Sequence, residues 1–163
     1  MQEINQAELL GFIAKSHRNT YAAPKEIRQK SKLKTPFLPG HKCYYFKDGN
    51  WEYFDGYAGE EWAPGREVVL FEGKPVWAMS YQGKHNEDYS KDFFQEEVFP
   101  FLKKALMNID DLMPLRGPKE FVNGDFRYVF KIKGDYRYIT GRESITHKGI
   151  EVFFQNVMGE LIK

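Results

Sequence analysis

Two stretches of the chain, GREVVLFEGKPVWAMSYQGK (65–84) and GRESITHKGIEVFFQNVMGE (141–160), align without a gap. They share Gly65/Gly141, Arg66/Arg142, Glu67/Glu143, Gly73/Gly149, Val76/Val152 and Gly83/Gly159. Chance supplies roughly one identity in such a window, so the chain reads as one supersecondary unit written twice. Each copy centres on a two-residue X-Gly turn, Glu72-Gly73 or Lys148-Gly149, between β-branched and aromatic residues, which is the signature of a hairpin. The likeness extends upstream, Gly49-Asn50-Trp51-Glu52-Tyr53 against Gly134-Asp135-Tyr136-Arg137-Tyr138, once nine extra residues are allowed before Gly65.

Around the hairpins the expected order is helix, meander, helix, meander. Asn5 and Glu8 have capping-box spacing, and Leu9, Leu10, Phe12 and Ile13 follow as an apolar stripe, so a first helix is expected from about Gln6 to Ser16. Residues 23–42, with three prolines and a basic run, read as a loop or loosely packed arm. Phe94, Val98, Phe101, Leu102 and Ala105 mark a second helix, which Pro100 should kink or split because it lacks a backbone donor. The fold class is α+β: an internally duplicated helix plus antiparallel β-meander, with two helices packed on a curved antiparallel sheet. One domain is expected over 1–163, with pseudo-repeats at about 6–84 and 90–160.

A simple two-residue turn pairs Phe71 with Lys74 and His147 with Ile150, and alternation then sorts the faces. Glu143, Ile145, His147, Ile150, Val152 and Phe154 share the expected core face, as do Glu67, Val69, Phe71, Val76 and Ala78. Arg142, Ser144, Thr146, Glu151, Phe153 and Gln155 fall opposite. A one-residue bulge would re-pair the faces but sets Ile145 near Glu151, so the simple register is preferred. It puts Trp77, Met79 and Tyr81 opposite Glu67, as a second packing layer or as an apolar patch for a homodimer or a regulator partner.

The composition excludes several classes. A net charge of +1 argues against wholesale attraction to nucleic acid, and the basic run KEIRQKSKLK has no second basic stretch to extend it into a groove. One cysteine, Cys43, allows no internal disulfide, and no stretch reads as a signal peptide or membrane span, so a cytoplasmic location is expected. Phosphate-cradling glycine loops, HExxH, paired CxxC and GxSxG are all missing from the sequence; no metal or cofactor is expected.

Chemistry therefore rests on the repeated acids. Glu67 and Glu143 stand at matching positions on apolar surfaces, where an unpaired carboxylate is costly. They read either as structural acceptors of hydrogen bonds or, as an alternative, as the acid/base pair of a hydrolase or transferase. Arg116, held between Leu115 and Gly117-Pro118, suits a preset anion contact or a tie to a nearby carboxylate.

These residues also lie in motifs that resemble an uncharacterised, mostly bacterial domain-of-unknown-function family. The motifs are NTYA (19–22), Phe54-x-Gly56 with Gly65-x-Glu67, KPVWAMSYQG (74–83), LRGP (115–118), GDFRY (124–128) and the closing hairpin. Some members resemble the C-terminal part of helix-turn-helix regulators, which implies a sensing or effector-binding module; in these 163 residues no room for such a DNA-binding head is expected. It departs from the family pattern in the basic insert at 23–42 and in its NVMGELIK ending. The expectation is a small-molecule-binding or sensor-like module without turnover, with Tyr21, Glu67, Arg116, Tyr128 and Glu143 as its polar ligand contacts.

Overall fold

The structure, a computed structural model, describes residues 4–163; Met1, Gln2 and Glu3, with which the acidic N-terminus begins, lie outside the described residues. It is an α+β protein with one eight-stranded antiparallel sheet. Strands β1 (His41–Asp48), β2 (Trp51–Ala58), β3 (Gly65–Phe71) and β4 (Lys74–His85) form one meander. A second consists of β5 (Glu120–Asn123), β6 (Phe126–Asp135), β7 (Tyr138–His147) and β8 (Ile150–Leu161). Their last strands pair antiparallel, so the sheet order is β1-β2-β3-β4-β8-β7-β6-β5. The residues matched in the two aligned stretches therefore lie on the two central hairpins.

Helix α1 (Gln6–Asn19) begins where the capping pattern places it, the Asn5 side chain accepting from the amides of Ala7 and Glu8. Its buried face, Leu9, Leu10, Phe12 and Ile13, joins the core over the sheet. The arm at 23–42 is not all loop: α2 (Lys25–Ser31) forms there with no buried residue, so it carries no apolar period to read. Its end is tied to the sheet edge, where Lys32 bridges Tyr44 and Leu33 N–H donates to the Cys43 carbonyl.

The later helix runs as α3 (Lys91–Phe93), a π-helical turn (Phe94–Val98) and α4 (Phe99–Met107). The disturbance expected of Pro100 is present, but immediately upstream of it: Phe99 N–H donates to Phe94 O, five residues back. That widened turn lets Pro100 enter at the start of α4, where its missing donor breaks no ladder bond. Counting α3 to α4 as one body, three helices accompany the sheet among the described residues, rather than two.

The hairpin register corrects the face assignment. Both turns are as expected, with Glu72, Gly73, Lys148 and Gly149 all at positive φ. Beyond them, however, Leu70 pairs with Pro75 but Val69 with Trp77, and Thr146 pairs with Glu151 but Ile145 with Phe153. Val76 and Val152 are the extra residues of bulges at matching positions. Each bulge turns the following residues over, so Trp77, Met79 and Tyr81 lie inward, 0%, 1% and 5% exposed. Phe153, Gln155 and Val157 do the same on β8, whereas Ile150 is 55% exposed. The bulge removes the objection to itself, because Ile145 meets Phe153 and not Glu151.

The upstream likeness is corrected as well. Gly49-Asn50 turns β1 into β2, while the second meander makes the turn of the same order, β5 to β6, at Gly124-Asp125. Gly134 instead precedes the β6–β7 turn.

Candidate functional site

Glu67 on β3 and Glu143 on β7 face the helices, 1% and 0% exposed. Burial at that depth demands compensation, and one side chain contributes to both. Arg116, in the connection between α4 and β5, donates from Nη1 to Glu67 Oε1 at 3.1 Å. Its Nη2 and Nε donate to Glu143 Oε1 at 3.1 and 3.2 Å, and Nε also reaches Glu143 Oε2 at 3.3 Å. The guanidinium thus bridges the two meanders. Gly117 is needed beside it, since a Cβ there would collide with the Tyr128 hydroxyl, and that hydroxyl donates to Glu143 Oε2 at 2.8 Å.

Three more side chains complete the cluster. His17, on the inner face of α1, places Nε2 2.9 Å from Glu67 Oε2. Tyr81 lies under the guanidinium, its ring centre 4.7 Å from Arg116 Cζ, and donates its hydroxyl to Asp55 Oδ1 at 2.7 Å. Asp55 stands across β2–β3 from Glu67. Burial, then the Glu67 charge, push the Asp55 carboxyl up to about 7, against the pull of Tyr81, Arg116 and His17. Burial also acts against ionising Glu67, but His17 and Arg116 outweigh it and hold that carboxyl below its ordinary value. Burial works against the Arg116 charge too, and Glu143 and Glu67 more than compensate.

Above this cluster, between helices and sheet, lies a cavity of about 170 Å³. Arg116, Tyr81 and Gln155 are its most buried polar lining, while Tyr21, Tyr57, Lys42 and Lys103 line it from half-exposed positions. The Gln155 side-chain oxygen is buried and, among the described residues, has no hydrogen-bond partner. Burial raises the Tyr21 hydroxyl out of its usual range despite Arg116, so it stays a donor. The connection from Gly59 to Pro64, part of the stretch that has no counterpart in the second meander, closes one side with Glu60 and Ala63. It is clasped to α3 and the π-helical turn by Lys91 and Gln95 onto Glu60, and to the end of β4 by Trp62 Nε1 onto His85 Nδ1.

Of the residues singled out in the sequence, Glu67, Arg116, Tyr128 and Glu143 touch one another, and Tyr21 shares the cavity with Arg116. The supposed patch of Trp77, Met79 and Tyr81 is interior, and Tyr81 belongs to the cluster. His17, Asp55, Lys103 and Gln155 were missed. Asp55 had a signal, because it alternates with Tyr53 and Tyr57 on a strand whose inward positions are otherwise aromatic. Among the described residues no group of three His, Cys, Asp or Glu side chains is arranged to hold a metal ion, and no helix is long and apolar enough to cross a membrane.

Sheet and cluster together define an α+β protein whose two meanders are tied by a buried arginine–glutamate network. The chain belongs to the family described as Domain of unknown function (DUF5680), whose model matches residues 55–162. The match takes in Asp55, Glu67, Tyr81, Arg116, Tyr128, Glu143 and Gln155, while His17, Tyr21 and Lys42 come from outside it. No curated protein and no solved structure matches the chain.

Proposed function

We propose that the chain is a ligand-binding, sensor-like module that holds a small molecule in the cavity above Arg116 and does not turn it over. In this reading it is one domain over 1–163, and its meanders are two copies of one unit whose matching acids, Glu67 and Glu143, meet at Arg116. The observation that supports it best is the Gln155 oxygen, buried beside the cavity with no partner among the described residues. A buried acceptor left unmade costs about 1–3 kcal/mol, and a ligand donor removes that cost.

The polar contacts then divide into two groups. Arg116 and Tyr21 face the ligand, whereas Glu67, Glu143 and Tyr128 lie behind Arg116 and set its orientation. Because both glutamates are spent on Arg116, the hydrolase or transferase alternative has no observation in its favour. The test is a thermal-shift screen of a metabolite library on the full chain, with a native mass spectrum of freshly purified protein. Compounds that raise the melting temperature, or a co-purified adduct, are expected; neither appearing overturns the reading.

A further inference from the structure

The cavity walls also specify a class of ligand, an inference that rests on the reading above. Lys103 Nζ, from α4, lies 5.1 Å from the centre of the Tyr21 ring, and Lys42 Nζ, from β1, lies 5.9 Å from that of Tyr57. The two rings meet edge to face at 5.6 Å, so the lysines flank a single aromatic wall. Among the described residues neither lysine has a carboxylate partner, and Glu60, the acid on the same rim, bonds Lys91 instead. The Glu60 charge also reaches Lys42, but it is held by Lys91, so two half-buried cations share the cavity with one rim carboxylate already engaged, an electrostatic cost that a bound anion relieves. Burial, with Arg28 and Lys42 adding to it, brings the Lys103 ammonium down to about 8.

The remaining walls are apolar or polar in distinct places. Phe99, Leu102 and Phe153 supply apolar surface, and Gln155 supplies a side-chain amide whose oxygen, buried behind the wall, is unpaired. At about 170 Å³ the space is close to that of an engineered cavity of roughly 150 Å³ that takes benzene, so it has room for one ring.

We infer that the ligand is a single-ring aromatic carboxylate carrying a hydroxyl or amino donor. Its carboxylate sits between Lys42 and Lys103, its ring lies against Tyr21, Tyr57 and Phe153, and its donor reaches Gln155 Oε1.

The test is titration calorimetry of the full chain with 4-hydroxybenzoate, benzoate, 4-hydroxybenzamide and tyramine, repeated on Lys103→Gln, Lys103→Arg and Gln155→Leu. A charge-assisted contact is worth about 1.5–3 kcal/mol, so losing one weakens binding by roughly 10- to 100-fold. Accordingly 4-hydroxybenzoate is expected to bind at least about tenfold more tightly than its amide. Lys103→Gln should remove that preference and Lys103→Arg should keep it. Benzoate should bind more weakly than 4-hydroxybenzoate to the native chain but equally to Gln155→Leu, whose melting temperature confirms that it folds.

Equal binding of acid and amide, a preference for tyramine, or indifference to Lys103→Gln overturns the carboxylate assignment. If none of the four probes binds, the class is also overturned. Hits of other chemistry in the library screen would then leave the binding reading standing, and a blank screen would remove both.

Discussion

Asp55 is the residue whose charge state matters most to the cluster. In the fold it holds its proton up to about pH 7, whereas its ordinary value is 3.8. Between those values the native chain binds more protons than the unfolded chain, so this group's contribution to stability falls as pH rises from about 4 to about 7 and is constant above. The groups facing it are Glu67 across the strand pair, Tyr81, Arg116 and His17. Asp55→Asn keeps an acceptor for the Tyr81 hydroxyl and removes the titration. Its urea-derived stability relative to the native chain should therefore improve between pH 4 and pH 7, by something on the order of 2–4 kcal/mol, then stay level. A difference that does not change with pH would show that Asp55 is ionised in the fold throughout. This acid was readable by alternation along β2; Gln155 was not, because its face depends on a bulge that the sequence does not mark.

The elements that carry the site are the two central hairpins, and their junction is the β4–β8 pair. Gly83 on β4 pairs with Gln155, and a Cβ there would run into the backbone of Phe154 and Gln155. Backbone cannot move aside as a flexible side chain can, so Gly83→Ala must spread the junction and displace Gln155 from the cavity. A loss of about 1–3 kcal/mol is expected in chemical denaturation, the usual range for overpacking. Gly159, its counterpart in the aligned stretch, is less constrained, with the nearest atoms at 3.0 Å. Gly159→Ala should therefore cost less, and the reverse order would contradict the junction geometry. The same hairpins explain the error over Trp77, Met79 and Tyr81. Strict alternation holds only between bulges, and one extra residue at Val76 reverses every side chain after it.

At the scale of the molecule, the two meanders share a sheet, a core and one cation. Arg116 bonds Glu67 of the first and Glu143 of the second, and Trp77 Nε1 on β4 donates to the Tyr136 carbonyl between β6 and β7. The three tryptophans, 51, 62 and 77, all lie in the first meander and its loop, so their fluorescence reports that half while far-ultraviolet dichroism reports both. Thermal unfolding should give coincident curves by the two probes. Arg116→Ala should move both together, with a loss of about 3–5 kcal/mol, because it strands two buried carboxylates. Separate transitions would mean that the halves fold independently and that Arg116 joins nothing.

What the sequence by itself determined is local and periodic: the Asn5 cap, the X-Gly turns, the strand-rich halves, and the paired acids whose burial required partners. Arg116 was legible only as an anion contact or a tie to some nearby carboxylate; that the carboxylates are Glu67 and Glu143 came from the structure. Only the tertiary structure decided which face each strand turns inward, that α2 forms in the basic arm, and that His17, Lys103 and Gln155 gather around one cavity. The reason is physical. Turn and cap preferences act over a few neighbouring residues, while the two bulges and the cavity exist only once α1, α4 and the far strands pack against the same side of the sheet.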